Sequence, residues 1–439
     1  MTTKTTSPRS VLRPVSASER AVLARLGRLA RAAALGSTAL CPLLAQAEGL
    51  PSGGRVVSGA AEIGAPEAGR MTVSQSGPRA VVNWESFSVG AGKRVDFAQP
   101  GRDAAILNRV TGPLGSRIDG TVSADGRVFL VNPSGVVVGP TGRVEAGGFV
   151  ASTLAISDAD FEAGRLRFRG GGASAGVANH GTIAVRRGGM AALLGGTVTN
   201  TGTITAPLGR IGLGAGERAT LDLTGDGVLQ VALPSDTDAE TLIDQSGRVS
   251  AAGGRVTISA ATAREAARRV VNLSGVTEAR SVSGRSGDIV LGAGPGGRLE
   301  VSGTVSTAPG PAQAPAPGPA ALDASPRPAA RAAAPPAGEI TLTGGEIALA
   351  EGARVSADGA GGGGRVRIGG DVQGRGELPR AERVTMAPGA RVSADALGTG
   401  DGGSVVLWAD AATAFLGRIS ARGGAAAGDG GFVEVSSAG

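Results

Sequence analysis

A turn of small residues followed by a short alternating strand recurs along this chain, and nothing else in the sequence restricts the fold as much. One form reads GGRVTISA (253–260), SGDIVLGA (286–293), AGEITLTG (337–344), GGRVRIGG (363–370), GGSVVLWA (402–409) and GGFVEVSS (430–437). A second form precedes or alternates with it: GTVSADG (120–126), GTIAV (181–185), GTITA (202–206), SGRVSAAGG (246–254), SGTVST (302–307), GARVSADG (352–359), GARVSADA (389–396) and GRISARGG (417–424). Apolar residues alternate with small polar ones in both, the period of a strand with one buried face. Equivalent units return about every twenty to forty residues, a solenoid period. Strands this short cannot bury an apolar face alone, but coils stacked in parallel align their Val and Ile side chains into a common interior. The pattern therefore predicts an all-β solenoid of about fifteen coils, each of about 25 residues and about 4.8 Å thick. Asn-Gly hairpin turns are scarce, which argues against a sandwich or barrel.

Composition fits such a stack. Only 2% of the 439 residues are aromatic, tyrosine is absent and glycine numbers 76, whereas a compact globular core uses more aromatic bulk. The first 47 residues read as a signal peptide. A long basic stretch (Lys4, Arg9, Arg13, Arg20, Arg25, Arg28, Arg31) precedes the apolar run AAALGSTALCPLLA and an A-x-A pattern whose cleavage residues are Ala45 and Ala47. That leader holds seven basic residues and one acid and so carries the whole formal charge of +6; the remaining 36 basic and 36 acidic residues cancel. The high isoelectric point thus gives no reason to expect nucleic acid as a partner. The one cysteine, Cys41, lies in the leader, so the mature chain can form neither a disulfide framework nor a thiolate metal site.

Two segments interrupt the repeats. Residues 308–338 hold nine of the 24 prolines and read as a Pro/Ala-rich disordered insertion. TAREAARRVVNL (262–273) reads as a short helix or loop packed on the outside. The chain stops at Gly439 just after a repeat strand and without an evident polar cap, a pattern that fits a fragment of a longer protein or frayed last coils.

The inventory of catalytic groups is thin. His180 is the only histidine and sits at a turn before a strand, where a turn or surface role outweighs a catalytic one. The acids of DTDAETLID (236–244) lack the spacing of a calcium loop. LGAGERA and GAGPGG lack the following helix of a phosphate cradle. RLRFRG (165–170) reads as a strand with one solvated arginine face. No cofactor and no metal site is expected. Solenoids also include enzymes that act on polysaccharides through grouped carboxylates, and a secreted polysaccharide lyase or hydrolase stays as the alternative.

The stretch GRVFLVNPSGVVVGPTGRVEAGGFVAST (126–153) sets Asn132-Pro133-Ser134-Gly135 between two valine-rich strands. Proline fixes φ and lacks a donor, the residue before it favours extended backbone, and glycine accepts positive φ, so a tight turn at a coil corner is expected. Three blocks, VNWESFSVGAGKRVDFAQP (82–100), AILNRVTG (105–112) and GTVSADGRVFLVNPSGVVVGPTGRVEAGGFVASTL (120–154), resemble in order and spacing the secretion domain of the filamentous haemagglutinin family, the passengers of two-partner secretion. Ser134 stands where the commonest form has a second Asn. The resemblance implies a right-handed parallel β-helix with an N-terminal cap. It also implies Sec export and recognition by a dedicated outer-membrane β-barrel transporter.

On that reading the chain divides into the leader 1–47, a secretion domain 48–160, β-helix repeats 161–307, the insertion 308–338 and further repeats 339–439. Asn108, Arg109, Asn132, Pro133, Ser134 and Gly135 are the residues expected to serve transporter recognition or the structure of the secretion domain. Asn108 is expected to bond backbone in a turn, and Trp84 and Phe87 to pack the cap. The expected function is that of an adhesin-like passenger, secreted or held at the bacterial surface, with a host glycan or surface protein as a further partner.

Overall fold

The computed structural model describes residues 49–439 except 223–228, 235–238, 240, 263–267, 282–284 and 310–336. The leader, with Cys41, Ala45 and Ala47, lies outside the described residues, as do most of DTDAE and nearly all of 308–338. Residues Gly49–Gly439 form one compact unit.

This unit is a parallel β-helix. Among the described residues its largest sheet has 24 strands. Strand Arg55–Ile63 pairs antiparallel with the long strand Arg70–Trp84 and closes the N-terminal end. From the two halves of Arg70–Trp84 start two parallel ladders of eleven further strands each. Side 1 begins at Arg94–Ala98 and Thr121–Ala124, and side 2 at Ala105–Val110 and Arg127–Val131. A separate 10-stranded ladder, side 3, begins at Ser116–Ile118 and Val136–Val138. Each coil passes from side 3 to side 1 to side 2. Among the described residues the coils are fewer than the expected fifteen, and 153–175 leave the stack and return to it.

The two sequence repeats map onto two sides. Every GG-strand repeat, from Arg255–Ala260 to Phe432–Ser437, lies on side 2. Every unit of the second form, from Thr121–Ala124 to Arg418–Ser420, lies on side 1. The inward row of side 1 runs in register through Val95, Val122, Val144, Ile183, Ile204, Val249, Thr277, Val305, Val355, Val392 and Ile419. Every member is β-branched, the shape that packs best on a pleated surface. Together the three sides enclose a single core extending from Met71 to Ala409.

The glycine before each side-1 strand has a packing cause. A methyl group on Gly202 would overlap the carbonyl oxygen of Gly181, and one on Gly247 would overlap that of Gly202. Corner backbones thus stack at a separation that admits no Cβ.

Two expectations about local structure are corrected. Arg268–Leu273 is a strand of side 3, paired parallel with Gly297–Val301 across a register shift between Arg269 and Val271, rather than a helix on the outside; residues 263–267 of that stretch are outside the described residues. A short helix, α1, lies instead at Asp158–Glu162, capped by Ser157, whose hydroxyl accepts from the Asp160 N–H. Asn108 lies within strand Ala105–Val110, not in a turn.

A second core was not legible from the repeats. The outward face of side 2 is covered by α1 and by a three-stranded antiparallel sheet, Leu166–Arg169, Arg218–Leu221 and Leu229–Ala232. Phe129, Phe161, Phe168, Leu107 and Leu194 meet there, away from the main core. Phe129 and Phe161 pack edge to face at 5.3 Å. Arg167 and Arg169 of RLRFRG point to solvent while Leu166 and Phe168 are buried, so this strand's other face is a core face.

Candidate functional site

The three sequence blocks meet at the N-terminal coils. Trp84 ends the long capping strand and is 1% exposed. Its ring sits edge to face on Phe87 at 5.6 Å, and Phe87 stacks on Phe97 at 6.4 Å. The indole N–H donates to Asn108 Oδ1 at 3.0 Å, and Asn108 Nδ2 donates to the Phe129 carbonyl at 3.4 Å. Asn108 is fully buried, so its amide joins the cap to the next two coils in a place water does not reach.

Strand alternation sends its neighbour the other way. Arg109 points outward and donates to Asn83 Oδ1 (3.3 Å), the Ile156 carbonyl (2.8 Å) and Asp158 Oδ1 (2.6 Å). One dipeptide therefore ties the interior cap and the external layer to a single strand.

Asn132 is also fully buried. Its Oδ1 accepts from the Ser134 N–H at 2.9 Å, and its Nδ2 donates to the Leu114 carbonyl (2.9 Å) and Ser116 Oγ (3.0 Å). The Gly135 N–H closes the turn on the Asn132 carbonyl at 3.1 Å. The amide thus makes the turn within its own coil and pins it to the turn of the coil before. Gly135 has φ +116°, and a methyl group there would meet nothing closer than the Gly176 carbonyl oxygen at 3.7 Å. The glycine is therefore required by backbone conformation and not by crowding. Pro133 and Ser134 are the exposed part of the tetrapeptide, beside Leu114, which is 70% exposed. The turn uses the backbone N–H of Ser134, a group any residue but proline supplies, which accounts for Ser at this position.

The following Gly-Gly-x-x-Ala-Ser-Thr segment opens the external layer. Ser152 Oγ bonds the Leu154 N–H and carbonyl, and Thr153 Oγ1 donates to the Ala175 carbonyl at 2.8 Å, pinning the two ends of segment 154–174 together.

Outside the same coils, side 1 carries an open groove of about 630 Å³ lined by Arg70, Arg94, Asp96, Asp125, Glu145 and Arg186 among others. Its charges are matched. Asp96 is gripped by Arg70, Arg94 and the Ser123 hydroxyl, and Asp125 pairs with Arg186 at 3.3 Å. Burial pushes the Asp96 carboxyl up, but Ser123, Arg94 and Arg70 outweigh it and hold it below the ordinary aspartate range. Because the folded value is depressed, the stabilisation is complete above the unfolded pKa and is lost as pH falls through the folded one. Wild type should therefore exceed Asp96→Asn in urea stability at pH 6 and lose that margin as acid takes the pH below the ordinary aspartate range; a margin unchanged by acid would remove Asp96 from the account.

Among the residues considered for chemistry, His180 is half-buried at its turn, its Nδ1 2.8 Å from Thr201 Oγ1. Asp244 accepts from Asn272 at 3.0 Å. Among the described residues no group of three His, Cys, Asp or Glu side chains is placed to hold a metal ion. One polar feature was missed in the sequence: Asn179, Asn200 and Gln245 are buried in register, Asn179 donating to Asn200 at 2.7 Å and Asn200 to Gln245 at 2.5 Å. The recurring residue two places before each corner glycine-strand unit (NHGTI, NTGTI, QSGRV) was the available signal.

The model of the TPS secretion domain family matches residues 50–307. Two heme/hemopexin-binding proteins of Haemophilus influenzae are similar, one 32% identical over 263 residues and the other 28% identical over 267. These alignments cover 57% and 55% of this chain but only 28% of each relative. Among solved structures, the HMW1 secretion domain from Haemophilus influenzae superposes with a TM-score of 0.70 at 27% identity, covering 88% of this chain and 95% of that one.

Proposed function

The chain belongs to the TPS secretion domain family, and we propose that its N-terminal coils present a surface read by a dedicated outer-membrane β-barrel transporter, which carries an adhesin-like passenger out of the cell. Membership makes the chain part of an exported passenger, secreted or displayed at the cell surface. The observation that carries the recognition proposal is the fully bonded, buried Asn132, which fixes the exposed Pro133 and Ser134 in one geometry. A preformed turn loses little entropy on binding. In this reading Asn108, Arg109, Trp84 and Phe87 act through the coils they hold together, and only Pro133, Ser134 and their exposed neighbours touch the partner.

The division that goes with this proposal places a leader at 1–47, removed after Ala47 following Sec export, and a recognition region at 48–160. Residues 161–307 and 339–439 continue the stack on either side of 308–338. Thr304–Ser306 and Glu339–Thr343 are consecutive sides of one coil, which supports reading 308–338 as an excursion from a single corner. A mature chain without cysteine suits threading through a barrel.

The adhesin-like role, toward a host glycan or surface protein, rests on a long repetitive polar exterior. The haem binding named for the relatives is not carried over. The chain has one histidine and no tyrosine, two of the usual haem iron ligands, and His180 is engaged with Thr201. The export reading is tested by expressing the full chain in a Gram-negative host with and without its transporter gene. The chain should reach the medium or surface only with the transporter, and equal appearance without it overturns the proposal.

A further inference from the structure

The outward face of side 1 changes chemistry along the stack. In the earlier coils an outward arginine finds an acid two positions on in its own strand or a neighbouring one. Arg70 and Arg94 share Asp96, Arg143 meets Glu145 at 3.5 Å, and Arg248 and Arg280 share Glu278. The last three coils read Arg354-Val-Ser356-Ala-Asp358, Arg391-Val-Ser393-Ala-Asp395 and Arg418-Ile-Ser420-Ala-Arg422. Serine now holds the acid's place, and the carboxylate has moved two residues further.

There it is consumed by the stack itself. Asp358 accepts from the Ser356 and Ser393 hydroxyls (2.7 and 2.9 Å) and the Asp395 N–H (2.8 Å). Asp395 accepts from the Ser420 hydroxyl (2.6 Å), the Arg422 N–H (2.7 Å) and both ends of the Arg422 guanidinium fork (3.0 and 2.7 Å). Arg354, Arg391 and Arg418 are left exposed and in register, their side chains without an ion pair or hydrogen bond among the described residues. They line a groove of about 470 Å³.

Three arginines in register on strands about 4.8 Å apart form a positive stripe parallel to the solenoid axis. Their mutual repulsion is relieved by a ligand that places one anion over each coil. A guanidinium fork matches a carboxylate in geometry as well as charge. We propose that this groove binds a linear acidic polysaccharide with one carboxylate per sugar ring, because the length of a ring in an extended chain is close to the coil rise. The Ser356, Ser393 and Ser420 oxygens, already donating to aspartate, keep lone pairs for sugar hydroxyls. The ligand's access to this face depends on the export proposed above, but the test does not.

The experiment measures binding of purified full-length chain to polygalacturonate by calorimetry, with neutral dextran as the control polymer. Wild type should bind polygalacturonate and not dextran, more weakly as salt rises. Trigalacturonate should compete and the monomer should not. The Arg354→Gln/Arg391→Gln/Arg418→Gln variant should lose about tenfold or more in affinity with an unchanged thermal midpoint. Arg143→Gln, at a paired site in an earlier coil, should bind as wild type. No binding by wild type, equal binding to dextran, or full binding by the triple variant overturns the proposal. Since no transporter is present, none of these outcomes bears on export.

Discussion

Asn132→Ala is expected to lower the stability of the N-terminal coils by about 2 kcal/mol, roughly a thirtyfold shift in the population of the closed turn, and to reduce export correspondingly. The substitution removes all three side-chain hydrogen bonds at once. It strips Ser116 Oγ of its donor in the interior, while the Leu114 carbonyl and the Ser134 N–H, nearer the surface, recover some of the loss from water. Asn132→Asp should be worse than a neutral loss, because it substitutes an acceptor for both donors and buries a charge. Ser134→Ala and Ser134→Asn should lie within about 0.5 kcal/mol of wild type, since only the backbone of Ser134 is used in the turn. Urea unfolding gives the stabilities, and immunodetection of periplasm and medium gives the export. An Asn132→Ala protein as stable and as well exported as wild type would refute the role given to this amide.

The second large effect is expected at the cap. Trp84→Ala should cost about 3–5 kcal/mol, combining the cavity left against Phe87 with an acceptor orphaned on Asn108. Trp84→Phe keeps most of the bulk and removes the N–H, so about 1–3 kcal/mol of the loss should persist. Asn108→Ala leaves the indole donor unpaired at similar cost. Because Trp84 and Asn108 bond each other, the double variant should be less destabilised than the two singles added together. A solenoid is stabilised mainly between neighbouring coils, so the damage should be local. Hydrogen exchange should lose protection in the coils between about residues 70 and 150 and keep it on the sides formed beyond residue 200. A uniform loss along the chain would contradict a capping role.

What was readable in the sequence depends on whether a side chain's job repeats. Sides 1 and 2 announce themselves because each coil needs the same glycine corner and the same β-branched interior, as at Gly202, Gly247 and the row from Val95 to Ile419. Side 3 has no such constant: its strands run from GVAN and TVTN to EIAL and ATAF, with an amide row at Asn179, Asn200 and Gln245 giving way to Leu273 and Val301. The helix expected in TAREAARRVVNL followed from Ala, Arg and Glu propensity, which yields to burial of Val270, Val271 and Leu273 in the stack. The external layer was invisible because its core joins residues as far apart as Leu107 and Leu229, with no period between them. At α1 the Ser157-Asp-Ala-Asp signal was available and went unread.

The tetrapeptide illustrates the same limit at the site. Its turn chemistry was legible from proline and glycine, but polarity alone places an asparagine outside, and this one is inside. Recognition, in this account, is exercised through the geometry that Asn132 imposes on its exposed neighbours. The most direct measurement is the affinity of the purified chain for the isolated periplasmic portion of its transporter, comparing wild type, Asn132→Ala and Ser134→Ala. The account expects tight binding by wild type, a loss of less than about tenfold in Ser134→Ala from its own contact, and binding weakened by about the thirtyfold cost of re-forming the turn in Asn132→Ala. Equal affinity for all three would mean that the transporter does not read this corner of the β-helix.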